Sequence, residues 1–325
     1  MKRRTLLKLL LLLFPFSVLP SSVHGWGGRV HMDINRAAAL NVPDDMAAWR
    51  DYAKLLSRYS IQPDLWKGTD EAEGSLHYLD AERFQPIAIT NLPEDHARLF
   101  ELTGRDAAAD GLLPWVIMDV QNKLTQAMAS NDWELAARCA AALGHYVADA
   151  HQPLHTTEHY DGSRTEDGSG LHLRWEEKMP FFFWKTELIS PAPAQYIKDP
   201  WSAVLQWLDQ SHARFRPIYT ADQKASDESD EGVGSADYYG RLWKDSRGVF
   251  VDQVNAAVSD LSSLWYTAWI RAGRPPIPKP PVKISDASIW TKQSVAVTIP
   301  VIPLLLVLAG VGVIVLIISM ARRRT

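Results

Sequence analysis

Five histidines fall between residues 145 and 172, and two of them are followed by an acid four residues later. His145 with Asp149, and His172 with Glu176, are i, i+4 pairs that share one face of a helix. Between them Gln152-Pro153-Leu154-His155 breaks the helical pattern and presents another imidazole. A single such pair is ordinarily a surface feature. Two pairs about 30 residues apart with His155 between them form a ligand set instead. Nitrogen and carboxylate oxygen without thiolate suit zinc. Upstream, Pro63-Asp64 and Leu76-His77-Tyr78-Leu79-Asp80 add a His and further acids, and Trp26 and His31 stand at the start of the predicted mature chain. Zinc ions held close together make water acidic and clamp both the attacking and leaving oxygens of a phosphodiester. The chemistry indicated is hydrolysis.

The elements expected to carry these residues are helical. Residues 114–129 open with Pro114, suited to a first helical turn, and place Val116, Ile117, Val120, Leu124 and Met128 at helical spacing. Residues 132–150 are rich in Ala and Leu, and Asp132 is the expected N-cap. Residues 249–272 form a long apolar stripe that Gly273 should close. Residues 43–59 and 201–215 read as further helices, and the acidic run 226–232 as a solvated loop. No alternating strand pattern or internal repeat is evident. The expected fold is all-α, with a single helical domain over residues 26–272.

The chain has 325 residues, one Cys and a formal net charge of −4. One Cys excludes an intramolecular disulfide and a four-cysteine metal site. The charge is unevenly placed. Residues 1–25 and 291–325 each carry four basic residues and no acid, so residues 26–290 hold 26 basic against 38 acidic ones, a net −12. Residues 1–25 read as a cleaved signal peptide, with Trp26 as the new N-terminus. Its Lys2-Arg3-Arg4-Thr5-Leu6-Leu7-Lys8 start resembles a twin-arginine signal. Residues 295–320 are uncharged and long enough to span a bilayer, and Arg322, Arg323 and Arg324 follow in a tail of residues 321–325. The positive-inside bias keeps that tail cytoplasmic and the domain on the other side, periplasmic or at the cell surface. Residues 273–294 are Pro-rich and read as an extended stalk.

Together these motifs resemble the zinc-dependent superfamily of bacterial phospholipase C and S1/P1 nuclease. The segment from His145 through Asp149 to Gln152-Pro153-Leu154-His155 is its most specific element, and the likeness spans about residues 26–272. The resemblance implies three zinc ions and a hydroxide nucleophile between two of them. It assigns Asp64, His77, His145 and Asp149 to the first ion, and His155, His172 and Glu176 to the second. Trp26, through its amine and carbonyl, would hold the third with His31 and Asp149. Asp64 could orient the nucleophile or act as base, and Asp70 competes with it as ligand. Tyr78 and Asp80 would line the substrate site. Cys139, Trp175, His96, His151, His159 and His212 match no ligand position and read as packing or surface residues.

For substrate, Glu176, the membrane tether and the −12 charge favour a phospholipase C-like enzyme. The short spacing from Trp26 to His31 favours a single-strand nuclease with 3′-nucleotidase activity. A non-catalytic, membrane-tethered zinc- or phosphate-binding protein is the alternative from another class. Nothing in the sequence points to a protein partner.

Overall fold

The computed structural model describes residues 26–162 and 170–290. The expected signal peptide, the expected span over residues 295–320 and the basic tail lie outside the described residues. Among the described residues no helix is long and apolar enough to cross a membrane.

Helix α1 (Gly28–Leu40) buries Val30, His31, Ile34, Asn35, Ala38 and Ala39, a stripe at helical spacing. A 3₁₀ stretch, Asp44–Tyr52, leads into α2 (Ala53–Tyr59) and the short α3 (Gln62–Trp66). After several 3₁₀ turns comes α4 (His96–Thr103), then α5 (Leu113–Ala129) and α6 (Trp133–Ala150). Pro114 stands in the first turn of α5, and Asp132 caps α6 by accepting from the Leu135 amide at 3.1 Å. Helix α7 (Leu171–Leu173) runs through a π-helical turn, Arg174–Lys178, into α8 (Met179–Phe183). Helices α9 (Pro200–His212), α10 (Phe215–Glu228) and α11 (Ala236–Arg271) complete the domain. No strand occurs among the described residues. The fold is all-α, as the apolar periodicity implied.

The core lies where α6 packs against α5, α1, α2 and α11. Alanines at 136, 137, 140, 141 and 142 are buried, and their small side chains let the neighbouring helices come close. The tightest point is Gly144, where a Cβ would stand 2.0 Å from Asn35 Oδ1. Any larger residue there would have to displace the buried Asn35 side chain of α1. This crossing sits one residue from His145 and one helical turn from His31, so it sets the distance between those two rings.

Some expectations change: the helix expected over 43–59 is a 3₁₀ stretch up to Tyr52 and an α-helix only from Ala53. The acidic run is only half a loop, because α10 continues through Ser226, Asp227 and Glu228 and the turn starts at Ser229. The last helix starts well before residue 249: α11 begins at Ala236, with the Ser235 hydroxyl capping the Tyr238 amide. Gly240 and Gly248 weaken the helical signal there, but tertiary packing of Tyr238, Leu242 and Ser246 overrides it.

The Pro-rich segment is extended, but it lies along the domain rather than standing free. Trp269 donates to the Pro275 carbonyl at 2.9 Å, and Tyr52 and Tyr59 donate to the carbonyls of Pro278 and Ile284. Lys123 donates to the Ile289 carbonyl at 2.8 Å, and the Ile289 side chain is buried. Proline leaves backbone carbonyls without competing amides, and the side chains of the domain take them up.

Candidate metal centre

The residues singled out by spacing converge below one surface cleft. Three groups each place their ligand atoms within 4.8 Å of one another: His31, His145 and Asp149; Asp64, His77 and His145; and His155, His172 and Glu176. All are buried. They come from α1, α3, the 3₁₀ turn Glu71–His77, α6, the 3₁₀ turn Pro153–Thr156, α7 and the π turn Arg174–Lys178.

Helix α6 supplies the floor. His145 Nδ1 donates to the Ser60 carbonyl at 2.8 Å, which turns Nε2 towards Asp149 at 3.3 Å and Asp64 at 3.6 Å. The His31 ring stacks on His145 with centroids 4.0 Å apart, and its Nε2 lies 3.5 Å from Asp149 Oδ1. Asp149 therefore faces both His31 and the group of Asp64, His77 and His145. His155 Nδ1 donates to the His77 carbonyl at 2.7 Å, leaving Nε2 directed at Glu176, 3.6 Å away. His172 Nε2 lies 2.7 Å from the same carboxylate oxygen, and Gln152 donates to it at 3.1 Å. The i, i+4 spacing of His172 and Glu176 survives although the backbone between them is a π turn rather than an α-helix.

A cation fits this arrangement. His31 Nδ1 and Nε2, His155 Nε2, His172 Nδ1 and Asp149 Oδ1 are buried without a hydrogen bond. Buried polar atoms are ordinarily satisfied, so such a concentration indicates an absent partner. Burial, and then the neighbouring His145, holds His31 well below its usual pKa, and burial followed by Lys67 does the same to His77. Burial also lowers His155. These imidazoles are neutral, the form in which nitrogen coordinates a metal. Burial and the adjacent Asp64 push the Asp149 carboxyl well above its usual range, the signature of negative charge awaiting a counter-ion. Burial would also raise Glu176, but His172 and His155 outweigh it and bring it to about 2.

Trp26 and Gly27 lie beside these groups. The Trp26 indole donates to the Ala148 carbonyl at 2.8 Å and packs against Trp175 and Phe250. The Gly27 amide donates to the Glu176 carbonyl at 3.3 Å. Of the two competing acids, Asp64 is buried with the histidines, whereas Asp70 caps the Glu71–His77 turn through the Ala72 amide. His151 pairs with Asp260 at 3.1 Å, outside the cluster. His212 donates to the Thr156 carbonyl and braces the turn behind His155. Trp175 is core, and its indole donates to Ser246.

Above the cluster lies a cleft of about 360 Å³ whose lining includes His77, His155, His172, Tyr78, Tyr160, Asp80 and Lys67. A Cβ on Gly111 would stand 2.2 Å from the Tyr78 carbonyl, so glycine is required for this segment to hold Tyr78 at the cleft. Burial, followed by Glu82 and Asp110, raises the Asp80 carboxyl to about 6. Lys67 and Tyr160 were not anticipated. Lys67 lies one turn after Asp64 and donates to its Oδ1 at 2.8 Å; that i, i+3 spacing is the signal in the sequence. Tyr160 lies edge-on to His172 with centroids 5.5 Å apart, and nothing local in sequence announces it.

No curated protein matches the chain. The family model described as S1/P1 nuclease matches residues 31–276, most of the chain and every residue of the three groups; Trp26 precedes the match. With a buried His and carboxylate centre under a cleft and that match across the helical domain, the chain belongs to the S1/P1 nuclease family, metal-dependent hydrolases of phosphodiester bonds.

Proposed function

We propose that the protein is a zinc-dependent single-strand nuclease with 3′-nucleotidase activity. The observation that carries this reading is the pairing of Tyr78 and Tyr160 in one cleft with His77, His155 and His172. An aromatic face beside a phosphate-binding centre suits an unpaired base, because every base has a π face and a duplex keeps its bases stacked. Three zinc ions would be held by Asp64, His77, His145 and Asp149; by His155, His172 and Glu176; and by Trp26, His31 and Asp149. When bound, zinc supplies Lewis acidity and lowers the pKa of water.

The protein side chains do the rest. Ser60, the His77 carbonyl and Gln152 fix the orientations of His145, His155 and Glu176. Asp64 orients the nucleophilic water, and Lys67 holds Asp64 in place. Tyr78 and Asp80 meet the leaving nucleoside. The domain works outside the cytoplasm, tethered through residues 295–320.

A second reading, a phospholipase C-like hydrolase, is favoured by Glu176 as the last ligand and by Asp70, Glu71 and Asp80 at the cleft, whose acids suit a cationic head group. The test is a parallel assay on single-stranded DNA, a 3′-nucleotide and phosphatidylcholine vesicles. Cleavage of the first two with little phosphatidylcholine turnover is expected. Turnover of the lipid alone would establish the second reading. Zinc binding without any turnover would point to a binding protein.

A further inference from the structure

The two ring nitrogens of His77 meet different carboxylates. Nδ1 faces the ligand cluster, 3.0 Å from His145 Nε2 and 2.9 Å from Asp149 Oδ2. Nε2 faces away from it, 3.4 Å from Oε1 of Glu73, within reach of that carboxylate but not aligned with it as a hydrogen bond. Glu73 is 1% exposed, as deeply buried as the ligands themselves, yet it belongs to none of the three groups. Its Oε1 accepts the hydroxyl of Tyr146 at 2.5 Å, and Tyr146, also fully buried, follows His145 on α6. A buried carboxylate is costly unless its environment uses the charge.

A neutral imidazole carries one N–H, and its position is set by the acceptor that competes best for it. Here Asp149 competes for the proton on Nδ1 and Glu73 for the proton on Nε2. If Asp149 wins, Nδ1 donates to a neighbouring ligand and offers no lone pair. If Glu73 wins, the Nδ1 lone pair points into the group formed with Asp64 and His145.

We propose that Glu73, with its carboxylate fixed by Tyr146, is the positioning residue that selects the metal-binding tautomer of His77 by accepting its Nε2–H. Outer partners of this kind raise ligand basicity and hold ring orientation. The proposal rests on the reading that the cluster binds zinc. The signal is visible in the sequence: Glu73 precedes His77 by four residues, the same His and acid spacing found twice downstream, here with the acid first.

The test is a chelator-competition titration of zinc on the full-length protein, with Glu73→Gln and Tyr146→Phe. Gln keeps the shape and the acceptor for Tyr146 but not the charge. Glu73→Gln should weaken one zinc ion by about 10- to 100-fold and leave the others unchanged. Tyr146→Phe should act on the same ion to a smaller extent. Nitrogen-15 spectra of the zinc-loaded wild type should show the His77 proton on Nε2. Zinc affinities unchanged in Glu73→Gln, or a proton on Nδ1, would overturn the proposal. Equal weakening of every zinc ion, together with a lowered melting temperature of the zinc-free protein, would reduce Glu73 to a structural role and likewise overturn it. A wild type that binds no zinc would refute the metal reading itself, and this proposal with it.

Discussion

Two buried polar clusters meet at the π turn Arg174–Lys178, and they are built on opposite rules. On one side Arg174 donates to Asp222 at 3.0 Å and to the Tyr238 hydroxyl at 2.8 Å, while Tyr238 donates to Asp222. Donors and acceptors answer one another. Burial alone would weaken the guanidinium charge, but Tyr238 and Asp222 outweigh it and raise the Arg174 pKa. On the other side His172 and Glu176 join His155 and the ligands of α6, where ring nitrogens crowd carboxylates and several polar atoms have no hydrogen bond. The first cluster is closed and needs nothing further. The second is short of positive charge and has lone pairs to spare. Burial and polarity are shared by both, so neither identifies a site. What separates them is whether the groups satisfy one another.

The sharpest way to break this contrast is to remove a member of the open cluster. His155→Ala should lower hydrolysis of bis(p-nitrophenyl) phosphate by more than about 100-fold, beyond the range typical of outer-shell partners. It should leave the fold intact, since the metal-free cluster satisfies few of its own polar groups. Circular dichroism beside the assay checks both halves, and retained activity would exclude His155 as a ligand.

In the closed cluster the order should reverse. Arg174→Met leaves Asp222 buried with only Tyr238, and breaking a buried ion pair costs about 3 kcal/mol or more. Denaturant unfolding should register that loss, with activity of the folded fraction falling less than in His155→Ala. A neutral result would mean that the network does not hold the π turn.

The smallest effect concerns the cleft wall. Asp80 titrates at about 6, raised first by burial, so it is protonated below that pH and charged above it. If it meets the substrate, kcat/KM should inflect near pH 6, and Asp80→Asn should remove the inflection with a change of about tenfold or less. An unaltered profile would take Asp80 out of substrate contact.

Much of this was written in local spacing. His145 with Asp149 and His172 with Glu176 are local pairs, and Asp132 and Pro114 mark helix starts by their own chemistry. Contacts formed only by the fold were less legible. Tyr160 lines the cleft edge-on to the His172 ring, a contact that only the fold creates. The Pro-rich segment reads as a stalk by composition, yet Tyr52, Tyr59 and Lys123 from distant elements take its carbonyls. The Arg174 network draws on α10 and α11, and no local pattern links them to the π turn.

We propose that the open cluster holds three zinc ions. Elemental analysis of the purified, processed protein tests it most directly. About three zinc ions per chain are expected, with loss of hydrolysis on chelation and recovery on adding zinc back. One zinc or none in active protein would rule out a three-ion centre.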